Sequence, residues 1–305
     1  MKRTVAGLTA AVMAVLSLTA CGGSSDPLKN NSGSGQSASD TIVVGSGNFP
    51  ESRLLAEIYA EALSAKGVKV EKKLNIGNRE LYYKGLQDGS IDLIPEYTGV
   101  LLQYINKDTP ETAPDDVYAA LKKALPSSLT VLDKAAAEDK DAVVVTQATV
   151  QKYNLKSIAD LAAHCKDLVL GGPAEFRQRA DGVPGLEKKY GCTFKEFKSL
   201  DVGGPLTVAA LKDGSIDAAD LFTTDSSVKD NNFVVLEDPK NNFAAQNVVP
   251  LINAKKAGDN IKKVLNSISA KLSTETLLEL NAKLGAPDKP EADKVAKDWL
   301  AQNNI

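Results

Sequence analysis

Residues 86–92, LQDGSID, return as LKDGSID at residues 211–217, an offset of 125, with six of the seven residues unchanged. The same offset carries Tyr97 onto Phe222 and Thr98 onto Thr223. DGSID taken alone reads as a helix stop followed by a strand start, with Asp-Gly supplying the turn. Chance does not readily extend that register to the aromatic-threonine pair that begins five residues further on. The repeat therefore marks one structural step built twice.

The surrounding pattern says what that step is. A β-branched run opens at residue 41, a Gly/Ser/Asn turn follows, and Leu54, Leu55, Ile58 and Ala62 then share one helical face. Residues 68–76 read as the next strand, 78–87 as a helix and 91–97 as a third strand. After Cys165 the order restarts: strand and Gly-Gly-Pro turn, helix ended by glycine, strand, helix 205–214, strand 216–222. Alternation of this kind predicts an α/β protein of two Rossmann-like lobes with mostly parallel sheets. Residues 142–146 and 247–253 read as strands crossing between the lobes. Helices are expected at 259–272, 274–284 and 290–302. Lobe 1 is then 41–145 with 250–305, and lobe 2 is 146–249. Ligands of open α/β sheets sit beyond the carboxyl ends of strands, so Tyr97-Thr98 and Phe222-Thr223 are both expected at the binding edge. Small ligands favour such an interface, and hinge closure is one way to use it.

The first 40 residues belong to a different problem. Lys2 and Arg3 precede an apolar run at 5–18, too short to span a bilayer comfortably but suited to the core of a signal peptide over residues 1–20. LTAC at 18–21 resembles the lipobox of bacterial lipoproteins, which implies a lipidated Cys21 and an anchor at the cell membrane; an ordinary signal peptide with an incidental cysteine is the alternative. Residues 22–39 are rich in Gly, Ser and Asn and read as a flexible linker with a reach of roughly 25 Å. Removing residues 1–20 takes away two positive charges and takes the formal charge from −3 to −5. That balance disfavours nucleic acid as a partner.

Outside the cytoplasm, Cys165 and Cys192 read first as a disulfide. His164 is the sole histidine and no carboxylate or cysteine cluster shows ligand spacing, so neither a metal site nor another cofactor is expected. No GxSxG, HExxH or P-loop motif is present. Paired carboxylates such as Glu96 and Asp220 leave an enzyme as one rival, and a surface-interaction lipoprotein is another. A His164–Cys165 dyad is disfavoured because sequence neighbours rarely form one.

GSGNFPES at Gly45, GNRELYYKGLQDG at Gly77, IDLIPEYTG at Ile91, EFRQRADGVPGL at Glu175 and DAADLFTTD at Asp217 resemble the substrate-binding lipoproteins of osmoprotectant ABC importers, whose ligands are glycine betaine, choline and carnitine. The resemblance covers most of residues 41–255. It implies the type II periplasmic-binding-protein fold, a small-molecule solute, a permease partner and no enzymatic activity; a monomer is expected. It further implies an aromatic cage for a trimethylammonium group, with Tyr97 and Phe222 as walls. Ser46, Asn48, Phe49 and Ser52, in the loop before the first helix, would supply donors to an anion. Arg179 would bridge the lobes or pair with a carboxylate, and Arg177 reads as a surface charge.

Departures from the family pattern accompany the matches. Val100 stands where relatives often carry threonine, and Ser52 where they carry glutamine. Asp141 and Val208 occupy positions where further cage tyrosines are expected. Asp141 would attract a cation by charge, or serve only as a turn residue. The alternative ligand is therefore a non-quaternary polyol, aromatic or phenolic solute. Tyr82 and Tyr83, adjacent on a helix, cannot both face the cleft.

Overall fold

The computed structural model describes residues 41–286 and 288–305; the signal peptide, Cys21 and the linker lie outside the described residues. The first lobe opens with β1 (Thr41–Gly45), α1 (Pro50–Ala65), β2 (Lys69–Lys73), α2 (Arg79–Asp88) and β3 (Leu93–Tyr97). Proline at the first turn starts α1 at no hydrogen-bonding cost, and Leu54, Leu55, Ile58 and Ala62 on its predicted face are all fully buried. Then come α3 (Thr98–Ile105), α4 (Pro114–Ala124) and β4 (Leu129–Val131).

The second lobe contains β5 (Asp141–Val145), α5 (Gln147–Tyr153), α6 (Ile158–Ala162), β6 (Val169–Pro173), α7 (Val183–Tyr190), β7 (Glu196–Leu200), α8 (Pro205–Asp213), β8 (Ala218–Phe222), α9 (Ser226–Asp230) and β9 (Val234–Val235). The chain returns through β10 (Val248–Asn253) and ends with α10 (Asp259–Ser269), α11 (Thr274–Leu284) and α12 (Ala292–Gln302). Trp299 of α12 is buried in the core that α1 anchors.

The two sheets have the same plan. One runs β2-β1-β3-β10-β4, the other β7-β6-β8-β5-β9. In each, a single strand is reversed: β10 is antiparallel to β3 and β4, and β5 to β8 and β9. The reversed strand is in each case the one that has just arrived from the other lobe. This moves the lobe boundary. Residues 141–145, expected to end lobe 1, pair along their whole length with β8, so the outward crossing falls before Asp141. Residues 248 and 249, expected in lobe 2, pair with Tyr97 and Glu96 of β3. Hydrophobic strands buried on both faces carry no mark of which sheet they join; only pairing decides it. The crossings themselves run side by side, with Asp139 N donating to Gln246 O at 3.2 Å and Val248 N to Ala137 O at 3.0 Å.

The repeated phrase is the same device in both lobes. Gly89 and Gly214 cap α2 and α8 in the left-handed region, at φ 79° and 77°. Asp88 Oδ1 accepts from Ser90 N and Asp213 Oδ1 from Ser215 N, both at 2.8 Å. Ile91 and Ile216 are buried, and Asp92 and Asp217 each accept from the backbone of the neighbouring strand, Val43 N and Val169 N, at 2.9 Å. Every member of DGSID is thus spent on turning helix into strand. In the second lobe Cys165 and Cys192, both buried, form a disulfide with Cα atoms 5.3 Å apart.

Candidate functional site

β3 and β8 end facing each other across the cleft, and each delivers an aromatic ring there. Phe49, in the turn before α1, lies between them, its ring centroid 6.1 Å from Tyr97 and 5.6 Å from Phe222. These rings line a cavity of about 60 Å³ between the lobes. At roughly 10–15 Å³ per enclosed water, that is space for on the order of five waters, a small solute. Asn48, Tyr82, Val100, Asp141, Arg179 and Gln246 complete much of the wall.

The charges around it are arranged lobe by lobe. In the first, Arg79 grips Glu96 with Nε and Nη2 at 2.8 and 3.0 Å, while Tyr82 Oη and Tyr97 N donate to the same carboxylate. In the second, Arg179 binds Asp141 through both terminal nitrogens at 3.1 and 2.7 Å and Asp181 at 3.0 and 2.8 Å. Such bidentate pairs fix a guanidinium rigidly. Burial, followed by the neighbouring Glu51, pushes the Asp139 carboxyl well above the ordinary carboxylate range; burial and then Asp141 do the same to Asp220. Burial, then Glu51 and Asp139, raises the Tyr97 phenol, keeping it a neutral donor.

One carboxylate joins the lobes. Glu51, buried in the first turn of α1, accepts from Tyr97 Oη at 2.6 Å, and its other oxygen accepts from Thr224 Oγ1 of the second lobe at 2.7 Å and from Asn281 Nδ2 of α11 at 2.5 Å. Asn281 also donates to Thr224 O. The group that orients a ring of the cavity therefore also ties the two lobes to each other.

Of the residues singled out in the sequence, Asn48, Phe49, Tyr97, Asp141, Arg179 and Phe222 come together around the cavity. Arg179 pairs with carboxylates of its own lobe and does not bridge the two, and Asp141, both oxygens of which it holds, is more than a turn residue. The threonines of the repeat do something else. Thr98 Oγ1 donates to Ala245 O and accepts from Asn247 N, each at 3.1 Å, and Thr223 Oγ1 accepts from Lys140 N at 2.9 Å. Each ties a strand end to one of the two crossings, so the aromatic half of the pair faces the cleft and the hydroxyl half holds the hinge. Ser46 and Ser52 are likewise taken up by backbone partners: Ser52 Oγ accepts from Gly47 N at 2.9 Å, and Ser46 Oγ donates to Gly47 O at 3.0 Å and accepts from Asn75 N, beyond β2, at 2.8 Å. Tyr82 lines the cavity, whereas Tyr83 packs edge-on against Tyr104 in the core.

Sequence reasoning passed over Glu51, Arg79, Asn78 and Gln246. Gln246 Oε1 accepts from Val100 N at 2.9 Å, which turns its buried Nε2, without a protein partner, toward the cavity; Asn78 Oδ1 is also unpaired there. None of the four has a spacing signal, because their partners lie far away in sequence. The rival chemistries lose their geometry: Cys165 is bonded to Cys192, and the His164 ring lies tilted against Tyr153 with centroids 4.5 Å apart. Glu96 is saturated by Arg79 and Tyr82, and sits in the other sheet from Asp220.

Two α/β lobes of matching topology, joined by a paired double crossing and facing each other over an aromatic and charge-lined cavity, define a solute-binding protein of the type II periplasmic-binding fold. The chain belongs to the family of substrate-binding domains of ABC-type glycine betaine transport systems, whose family pattern matches residues 40–302. It is similar to the carnitine transport binding protein OpuCC of Listeria monocytogenes, 28% identical over 279 residues, covering 89% of this chain and 90% of the relative. It is also 28% identical over 280 residues to the glycine betaine-binding protein YehZ of Escherichia coli (strain K12), covering 87% and 91%. A crystal structure of a glycine betaine/carnitine/choline ABC transporter protein shares the fold, with TM-score 0.68 and 24% identity over 86% of this chain and 98% of that one. Proteins of this family are extracytoplasmic, bind a small solute and deliver it to an ABC permease; they are not enzymes.

Proposed function

We propose that the solute is a small quaternary ammonium compound of the glycine betaine, choline or carnitine type. The observation that carries the reading is the cluster of Phe49, Tyr97 and Phe222 on one small cavity, next to Asp139 and Asp141. Ring faces attract a desolvated cation by about 2 kcal/mol. The names of the relatives, a carnitine and a glycine betaine binder, agree with it. Gln246 Nε2, as a free donor in the wall, suits the carboxylate or hydroxyl at the other end of such a molecule. The protein works as a monomer, tethered to the cell membrane through a lipidated Cys21, and presents the closed form to its permease.

Calorimetric titration of residues 22–305 with glycine betaine, choline and carnitine tests this. One-to-one binding that Phe222→Ala weakens by about tenfold or more is expected. Absence of binding by all three would overturn it and leave the non-quaternary aromatic or polyol solute, which Asp141 and Val208 at expected tyrosine positions favour. A Cys21→Ala chain should leave the membrane fraction.

A further inference from the structure

The cleft does not stop at the ring cluster. On one side it opens into a charged space of about 310 Å³, bordered by Arg79, Glu80, Lys107, Glu175, Arg179 and Asp181. On the other it opens into a space of about 360 Å³, whose walls include Phe49, Val202, Pro205, Val208, Phe222 and Leu284. Arg79, Val100, Glu175 and Arg179 belong to both the charged space and the central cavity; Phe49, Val202 and Phe222 belong to both the central cavity and the apolar space. The three spaces therefore adjoin one another along the cleft, charged at one end and apolar at the other.

The apolar end is built and held in place. Gly203, at φ 59°, brings the loop after β7 so near the Phe222 ring that a Cβ there would lie 2.9 Å from it. Asp201 fixes the same loop, accepting from Leu206 N, Thr207 N and Thr207 Oγ1 at 3.0, 2.9 and 2.8 Å. Asp139 and Asp225, which border the space, are both pushed by burial toward the neutral acid. Ser227 Oγ, also on its border, is buried without a hydrogen-bond partner. A preformed apolar surface at a lobe interface, sharing Phe49 and Phe222 with a ligand cavity, is a place for part of a ligand.

We propose that this compartment is a subsite of the solute cleft and takes an apolar substituent carried on the quaternary nitrogen. The proposal rests on the quaternary ammonium reading, since it places the cation at the rings shared by both spaces. From there one substituent passes Phe49 and Phe222 into the apolar end while the polar end of the molecule stays toward Gln246 and the arginines. A substituent as small as methyl leaves the compartment unused.

The test pairs glycine betaine with N-benzyl-N,N-dimethylglycine, which differs by benzyl for methyl, in titrations of the same protein. Burying the added ring predicts an affinity about tenfold or more higher for the benzyl compound. Val208→Trp in the second lobe and Leu284→Trp in the first, which fill the compartment from opposite sides, should each bring the ratio of the two affinities to about one or below. A wild-type protein that binds glycine betaine but gains nothing from benzyl overturns the subsite and leaves the proposed function standing. A gain that survives both tryptophans overturns the subsite as well. Binding of neither compound overturns the subsite, and it overturns the proposed function as well where choline and carnitine also fail to bind. Binding of the benzyl compound alone supports the subsite and removes glycine betaine as the solute.

Discussion

At the residue scale, the aromatic-threonine pair divides its labour in a way no local rule announces. Tyr97 and Phe222 turn toward the cleft, while Thr98 and Thr223 take backbone partners at the crossings 80 to 150 positions away in sequence. The most telling single group is Asp139, buried at the crossing, bordering the central cavity and accepting from Thr224 N. Its raised carboxyl means that the folded protein holds a proton the unfolded chain releases near 3.8. The stabilisation is fully present below that ordinary value and is lost as pH rises through the raised folded value. The melting temperature of the wild type should therefore fall as pH rises from about 4 toward neutrality, and Asp139→Asn should flatten part of the fall, Asp220 contributing the rest with the same sign. A variant profile parallel to the wild type would show that Asp139 is ionised in the fold. If the proposed quaternary solute seats its cation at the rings, it draws a proton off Asp139, and binding should release protons, read as a buffer-dependent binding enthalpy.

At the element scale, the repeated helix-to-strand device makes a paired prediction. A Cβ at Gly89 or Gly214 meets nothing within 4 Å, so Gly89→Ala and Gly214→Ala test backbone conformation alone. Each should cost about 1–2 kcal/mol in urea unfolding, and the double variant should come within about 0.5 kcal/mol of additivity because the sites lie in different lobes. Cost at one site only would mean that the two copies are not equivalent. The disulfide acts on a different element pair, joining the chain before β6 to the end of α7 across 27 residues. Chain entropy gives it about 3.5 kcal/mol. A Cys165→Ala, Cys192→Ala protein should lose about 2–4 kcal/mol on that account, read by denaturant unfolding.

At the scale of the whole molecule, Glu51 couples the cage to closure. Its contacts to Thr224 on the second lobe can form only when the lobes meet, whereas its contact to Tyr97 lies within the first. Glu51→Gln puts an amide where donors already converge and forfeits charge-assisted hydrogen bonds of about 1.5–3 kcal/mol. The cost falls on the closed form, so small-angle scattering at saturating glycine betaine should show a larger radius of gyration than the wild type, and solute affinity should drop about tenfold or more. An unchanged radius with unchanged affinity would mean that closure is held elsewhere. Much of this architecture was legible beforehand. The 125-residue repeat, the strand-helix alternation and the aromatic at each strand end are local or periodic properties, set by turn chemistry and side-chain spacing, and they specified two α/β lobes with rings at the facing edges. The sheet that β5 and β10 join, the use of Thr98 and Thr223 as hinge ties, the Glu51 latch, the orientation of Gln246 and the apolar end of the cleft were decided only by the tertiary structure. Each depends on partners brought together by the double crossing from distant parts of the chain, and hydrogen-bond choice among distant partners leaves no spacing in the sequence to read.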